Sequence, residues 1–267
     1  MMNIPNGFKP YTREDFPHSP LLVFYEVTRA CDLVCKHCRA SAQPERHPGE
    51  LTHEQSLQLI DQLASFPRPP MLVFTGGDPA KRADIYDLIR RGVARGLEVS
   101  LTPSATPLVT TEVVRGFAKA GLHRLAVSLD GADAPTHDAF RGVEGTFERA
   151  LRIIRDARAI GLPVQVNTTI TRYNVAQVDA MASLLATLDI ALWSVFFLIP
   201  VGRGLAEQRI RPDEYEGVFE QLWDAAQAGH FGVKTTEAHH YRRFVLQRKG
   251  NPQKMPTRDG GSYERAP

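Results

Sequence analysis

Six times in succession, a short run of apolar and β-branched residues ends in small or polar residues and gives way to a segment whose apolar positions recur at helical spacing. The strand-like runs are Leu21 to Thr28, Met71 to Thr75, Glu98 to Thr102, Arg124 to Leu129, Pro163 to Thr169 and Ala191 to Ile199. After the first strand and its loop, a helix is expected from about Thr52, where Thr52 to Gln55 resembles a capping box and Leu57, Ile60, Leu63 and Ala64 stay in phase. The next helix carries Ile85, Leu88, Ile89 and Val93 and is closed by Gly96. Further helices are expected over Thr111 to Ala120, from a cap at Thr146 to Ile160, over Val175 to Leu188, and from Pro212 towards Ala228.

Right-handed crossovers return each strand beside its predecessor, so this alternation predicts a parallel sheet. A closed barrel needs eight such units. The count here fits an α/β fold of the partial (β/α)6 TIM-like kind, parallel strands with outer helices, and Phe231 to Thr235 is a possible seventh strand. The implied layout is an N-terminal extension at 1–20, a core at 21–236, and a C-terminal helix with a basic tail at 237–267. Between Tyr241 and Arg258 there are six basic residues and no acidic one, which reads as a solvated, partly disordered arm. Trp193, Phe196, Phe197 and Phe219 are expected in the core.

Composition removes several function classes. The chain is 43% hydrophobic and 23% charged, which excludes a disordered polymer, and its formal charge of +2 implies neither a nucleic-acid nor an anionic-membrane partner. The first twenty residues lack the apolar stretch of a secretory signal, and no run reaches the roughly 18 apolar residues of a membrane span. A cytoplasmic protein with no nucleic-acid and no membrane partner is expected.

Only three cysteines occur, Cys31, Cys35 and Cys38, and the rest of the chain has none. Three thiols within eight residues make a poor disulfide framework but a good set of soft ligands. The CxxxCxxC spacing of Cys31, Cys35 and Cys38 suits three irons of a 4Fe-4S cluster, with the fourth iron open. A three-cysteine zinc site completed by His37 or a distant histidine is the alternative, giving a structural, sensing or electron-transfer protein without catalysis.

The segment CxxxCxHC after the first strand, GGDP after the second, and the βα repeat resemble the radical S-adenosylmethionine superfamily. The wording YEVTRACDLVCKHCRASA, FTGGDP, SLDG, HDAFRG and GRG is similar to the branch with a SPASM or twitch extension. That branch includes maturases for pyrroloquinoline quinone and mycofactocin, and enzymes of the alternative haem and haem d1 routes. The resemblance implies a 4Fe-4S cluster on Cys31, Cys35 and Cys38, and S-adenosylmethionine bound at the open iron and cleaved reductively to a 5′-deoxyadenosyl radical. It implies a peptide or tetrapyrrole substrate and an electron donor such as flavodoxin or ferredoxin.

Site residues implied by the same resemblance lie at the carboxyl ends of the strands. Gly76, Gly77, Asp78 and Pro79 would form the site for the cofactor's amino group; the family usually has Glu where Asp78 stands, which shifts weight to a carbonyl of the turn. Ser104 and Ser128 would reach ribose hydroxyls, with Asp130 nearer substrate or loop structure. Arg141 would pair with the methionyl carboxylate. Asn167, Gly202 and Arg203, with Gly204, would cradle the adenosyl and carboxylate groups, and His37 would pack near adenine through its backbone. His239 and His240 are open between the substrate end, a second metal and a plain surface role. Family members with a full SPASM extension carry further C-terminal cysteines, and here none follows Cys38. No Cys-ligated auxiliary cluster is therefore expected within these residues, which leaves open a shortened chain or a single-cluster enzyme.

Overall fold

The structure, a computed structural model, describes residues 11–250. The start of the expected N-terminal extension and the end of the basic tail lie outside the described residues. Two compact units are distinguished within the described chain, the first made of residues 11–34, 38–128 and 148–164, the second of 35–37, 129–147 and 165–250.

In the first unit, strands β1 (Leu22–Thr28), β2 (Met71–Gly76), β3 (Val99–Leu101) and β4 (Arg124–Ser128) pair in parallel, with Leu22 opposite Met71, Leu72 opposite Val99 and Ser100 opposite Arg124. Helices α1 (His53–Ala64), α2 (Ile85–Ala94) and α3 (Thr111–Lys119) alternate with them. The α1 capping box is present in full: the Gln55 amide donates to Thr52 Oγ1 at 3.2 Å and the Thr52 amide to Gln55 Oε1 at 2.9 Å. Thr110 caps α3 in the same manner, its hydroxyl accepting from Val113. Each such cap is worth about 1 kcal/mol of helix stability. Ile60, Leu72, Phe74, Leu88, Phe117 and Leu125 are fully buried at the centre. Helices form here because their apolar positions meet a sheet that is itself apolar on the facing side.

In the second unit, β5 (Val164–Ile170), β6 (Leu192–Phe197) and β7 (Gly232–Thr236) pair in parallel, with Gln165 opposite Leu192 and Leu192 opposite Gly232. Helices here are α4 (Ala134–Arg141), α6 (Val178–Ala186), α7 (Glu214–Ala228) and α8 (His240–Arg248). The seventh strand exists, one residue later at each end than its apolar pattern suggests, and the Phe231 ring packs edge-on against Trp193 with centroids 6.0 Å apart. Trp193, Phe197 and Phe219 are buried as expected, and Phe196 is half-buried.

Four details differ from the sequence expectation. Helix α4 was not anticipated as a helix, although Asp133 caps it, Pro135 sits in its first turn and Gly142 ends it with φ 74°. Thr146 is not a cap but the first residue of α5 (Thr146–Ala159), its hydroxyl donating to Asp138 at 2.6 Å. Pro212 lies outside α7, and the segment expected to be helical from Val175 opens with a 3-10 turn over Val175–Gln177 before α6. Among the described residues no helix is long and apolar enough to cross a membrane.

Candidate cofactor site

The first unit contributes Cys31 and Cys38. Strand β1 shifts register between Glu26 and Thr28, and the chain then folds back on itself: the Cys31 amide donates to Gln43 O at 2.8 Å and the Gln43 amide to Arg29 O at 3.0 Å. Glu50 braces the start of this loop, one oxygen accepting from the Thr28 hydroxyl, the Arg29 amide and the His47 amide. Burial works against the Glu50 charge, but these hydrogen bonds hold its pKa below the ordinary carboxylate value.

The turn after β2 is zipped to the same loop. Gly77 donates to Thr28 O and Asp78 to Ala30 O, both at 2.7 Å. A Cβ on Gly76, which has φ 134°, would stand 2.3 Å from Thr28 O, and one on Gly77 would stand 2.3 Å from Ala30 O. Glycine is thus demanded by the approach of two backbones. Asp78 is fully buried; Oδ1 accepts from the Ala80 and Ser104 amides and Oδ2 from the Thr106 hydroxyl. Burial raises its pKa despite those three bonds. Pro79 opens a short 3-10 turn behind it. Ser104 completes the group, with Oγ 3.3 Å from Gly77 O and 3.5 Å from Cys31 Sγ. Backbone amides also point at sulfur, Leu33 at Cys31 and Ala42 at Cys38, both at 3.4 Å.

The second unit contributes Cys35, which is buried, with Lys36 and His37. Arg141 Nη1 lies 3.7 Å from Cys35 Sγ, and Arg203 Nε donates to Cys35 O at 2.9 Å. Helix α4 grips this tripeptide: the Lys36 amide donates to Phe140 O at 3.1 Å, and the His37 ring stacks on Phe140 with centroids 4.4 Å apart. The Lys36 ammonium sits over the Tyr173 ring at 4.9 Å. Arg141 is ion-paired with fully buried Asp130. Asp130 is held from three sides, its Oδ1 by the Thr169 amide, its carbonyl by Asn174 Nδ2, and its amide by His137 Nδ1.

Burial, aided by the positive charge of Arg141, pushes the His137 pKa down to about 4. His37 is lowered well below the usual histidine value by burial and by the charges of Arg141 and Arg203. Both rings are therefore neutral at physiological pH. His137 accepts at Nδ1, so its proton is on Nε2. The buried atoms His37 Nδ1, His137 Nε2 and Arg141 Nε have no hydrogen-bond partner.

Of the residues expected from sequence, the first unit brings together Cys31, Gly77, Asp78 and Ser104, and the second brings together Cys35, His37, Arg141 and Arg203. Ser128 ends β4, half-buried. Asn167 accepts from Gln165 Nε2 through its side chain and from the Leu129 amide through its carbonyl. Gly202 takes φ 66° just before Arg203. His239 and His240 are exposed, and His240 packs against Tyr215 and Phe219. Sequence reasoning missed Glu50, Thr106, His137, Phe140 and Asn174, whose roles come from contacts distant along the chain. The cap signals around α4 were the one available pointer to Phe140.

A family model described as the Radical SAM superfamily matches residues 25–185. The chain belongs to the radical SAM superfamily. It is 39% identical over 246 residues to the AdoMet-dependent heme synthase of Nitratidesulfovibrio vulgaris, covering 91% of this chain and 66% of that protein. It is 35% identical over 191 residues to the mycofactocin maturase MftC of Mycobacterium tuberculosis, covering 70% of this chain and 46% of that one. The chain thus spans about two thirds or less of the curated relatives it matches. Among solved structures, Streptococcus suis SuiB bound to S-adenosylmethionine superposes with a TM-score of 0.72 at 17% identity, over 83% of this chain and 52% of that one. The shared fold is the partial βα barrel of radical SAM enzymes, and both expected branches, haem-forming and peptide-maturing, are among its relatives.

The cofactors of this enzyme superfamily are a 4Fe-4S cluster and S-adenosylmethionine. The residues present suit them. Amide or guanidinium N–H groups face each of the three cysteine sulfurs, which favours the thiolate that iron requires. Unpartnered Arg141 Nε is a buried donor of the kind a carboxylate ligand would satisfy. Among the described residues no three His, Cys, Asp or Glu side chains gather in the manner that holds one metal ion. A 4Fe-4S cluster asks for a different arrangement, with each thiolate on its own iron.

Proposed function

We propose that this chain is the core of a radical S-adenosylmethionine enzyme acting on a tetrapyrrole of the haem-forming kind, with residues 21–236 as the catalytic core. The observation that carries the reading is the reach of the similarity: resemblance to the heme synthase runs over 91% of the chain, well outside the family core, whereas that to the maturase covers 70%. When bound, the reduced cluster and S-adenosylmethionine supply a 5′-deoxyadenosyl radical that removes hydrogen from an unactivated carbon.

The chain's own residues bind and shield. Cys31, Cys35 and Cys38 hold the cluster. A carbonyl of the Gly76–Gly77 turn would accept from the cofactor's ammonium, since Asp78 is fully buried with its oxygens turned to Ala80, Ser104 and Thr106. Asp78 and Pro79 fix that turn. Ser104 and Ser128 face the ribose, Arg141 offers Nε to the methionyl carboxylate, and Asn167, Gly202 and Arg203 line the adenosyl end. His37, neutral and stacked on Phe140, presents its backbone to adenine. A low-potential donor such as flavodoxin or ferredoxin, in the reducing cytoplasm, delivers the electron.

The test is anaerobic turnover with dithionite, S-adenosylmethionine, and either carboxylated iron-porphyrins or short peptides. Deoxyadenosine formation stimulated by the porphyrins supports the reading. Stimulation by peptides alone refutes the substrate class, and no deoxyadenosine from a chain with an intact cluster refutes the activity.

A further inference from the structure

We infer that the buried Asp130–Arg141 pair sets the reduction potential of the cluster, with Arg141 acting as a positioning residue whose charge is fixed beside the sulfur of Cys35. This rests on the proposed role of Cys35 as an iron ligand. It gives Arg141 a function that persists when no S-adenosylmethionine is bound.

The geometry is that of a fixed charge. The Asp130 side chain is wholly buried and that of Arg141 is 12% exposed, so little water screens either. An arginine guanidinium keeps its charge at any physiological pH. The anchor cannot drift, since Thr169, His137 and Asn174 hold Asp130 at its carboxylate, amide and carbonyl, at 2.7, 3.0 and 3.0 Å. The target is held as firmly. Arg203 binds the Cys35 carbonyl at 2.9 Å, and the carbonyl of Phe140, one residue before Arg141, takes the next amide, that of Lys36, at 3.1 Å. Helix α4 therefore delivers both the backbone clamp and the charge, and Arg141 Nη1 is left 3.7 Å from Cys35 Sγ. An arginine serving only to catch a mobile cofactor's carboxylate would need neither the buried counter-ion nor the contact to sulfur.

The sign follows from charge alone. Reduction adds one negative charge to a cluster, and potentials respond to net charge and to hydrogen bonds at the sulfurs. A cation beside one of the sulfurs stabilises the reduced state and raises the midpoint. Asp130 opposes part of that field and orients the rest.

The experiment is an EPR-monitored potentiometric titration of the reconstituted full chain, without S-adenosylmethionine, alongside iron and sulfide counts. Arg141→Gln is expected to move the midpoint to more negative potential, Arg141→Lys to stay between it and the wild type, and Asp130→Asn to move it to more positive potential. Opposite shifts from the two partners are not what loosened packing produces. Wild-type midpoints in Arg141→Gln and Asp130→Asn, at full iron content, would overturn the inference. If Arg141→Gln loses the cluster, the Arg141→Lys and Asp130→Asn midpoints decide by the same signs. A wild-type chain that takes up no cluster would instead overturn the assignment of Cys35, which separates the two failures.

Discussion

At the scale of single residues, the cysteines and one histidine make the most direct claims. Each of Cys31, Cys35 and Cys38 has a distinct N–H neighbour at its sulfur. Changing any one to Ala is expected to abolish stable cluster binding and deoxyadenosine formation, read by iron and sulfide content after anaerobic reconstitution. His137 makes a claim about stability. Its folded pKa of about 4 lies below the unfolded value near 6.5, so the unfolded chain takes up the proton first as acid is added. Its neutral form stabilises the fold fully above pH 6.5, and that advantage is lost as the pH falls to about 4, by at most about 3 kcal/mol. Urea unfolding at several pH values is expected to show this loss in the wild type and a flatter profile in His137→Gln, whose baseline stability is lower because the Asp130 amide loses its acceptor.

At the scale of elements, the turn after β2 and helix α4 organise the ligand loop. In Gly77→Ala the new methyl would collide with Ala30 O, and relief requires the turn or the ligand loop to move. The expected cost is about 1–3 kcal/mol, together with reduced iron occupancy, measured by thermal unfolding and iron assay on the same preparation. Strands and most helices were legible because burial imposes a period: β5 alternates buried and half-buried residues along its whole length, and α1 and α3 announce themselves by caps. The ligand spacing was legible because three soft donors in eight residues have few uses. Helix α4 was not, since its motif, HDAFRG, drew attention to side-chain chemistry and hid an eight-residue helix whose caps were plain. The partners of the Arg141–Asp130 pair and of Asp78 were illegible for another reason. Asp130, Thr169 and Asn174 approach from the ends of β4 and β5, and Ser104 and Thr106 from the loop after β3, so the contacts depend on strand register rather than on neighbours in the chain.

At the scale of the whole chain, a superfamily core is joined to a fold whose strand ends carry the reactive groups, and the similarity to haem-forming relatives extends past that core. Three thiolates on three irons would leave the fourth to a small-molecule ligand. The most direct measurement is EPR of the dithionite-reduced, anaerobically reconstituted chain before and after S-adenosylmethionine is added. The expected signal is that of one 4Fe-4S cluster per chain, with g-values that change when the cofactor is added. A cluster signal that S-adenosylmethionine leaves unaltered, or a chain that retains zinc and no iron, would contradict it.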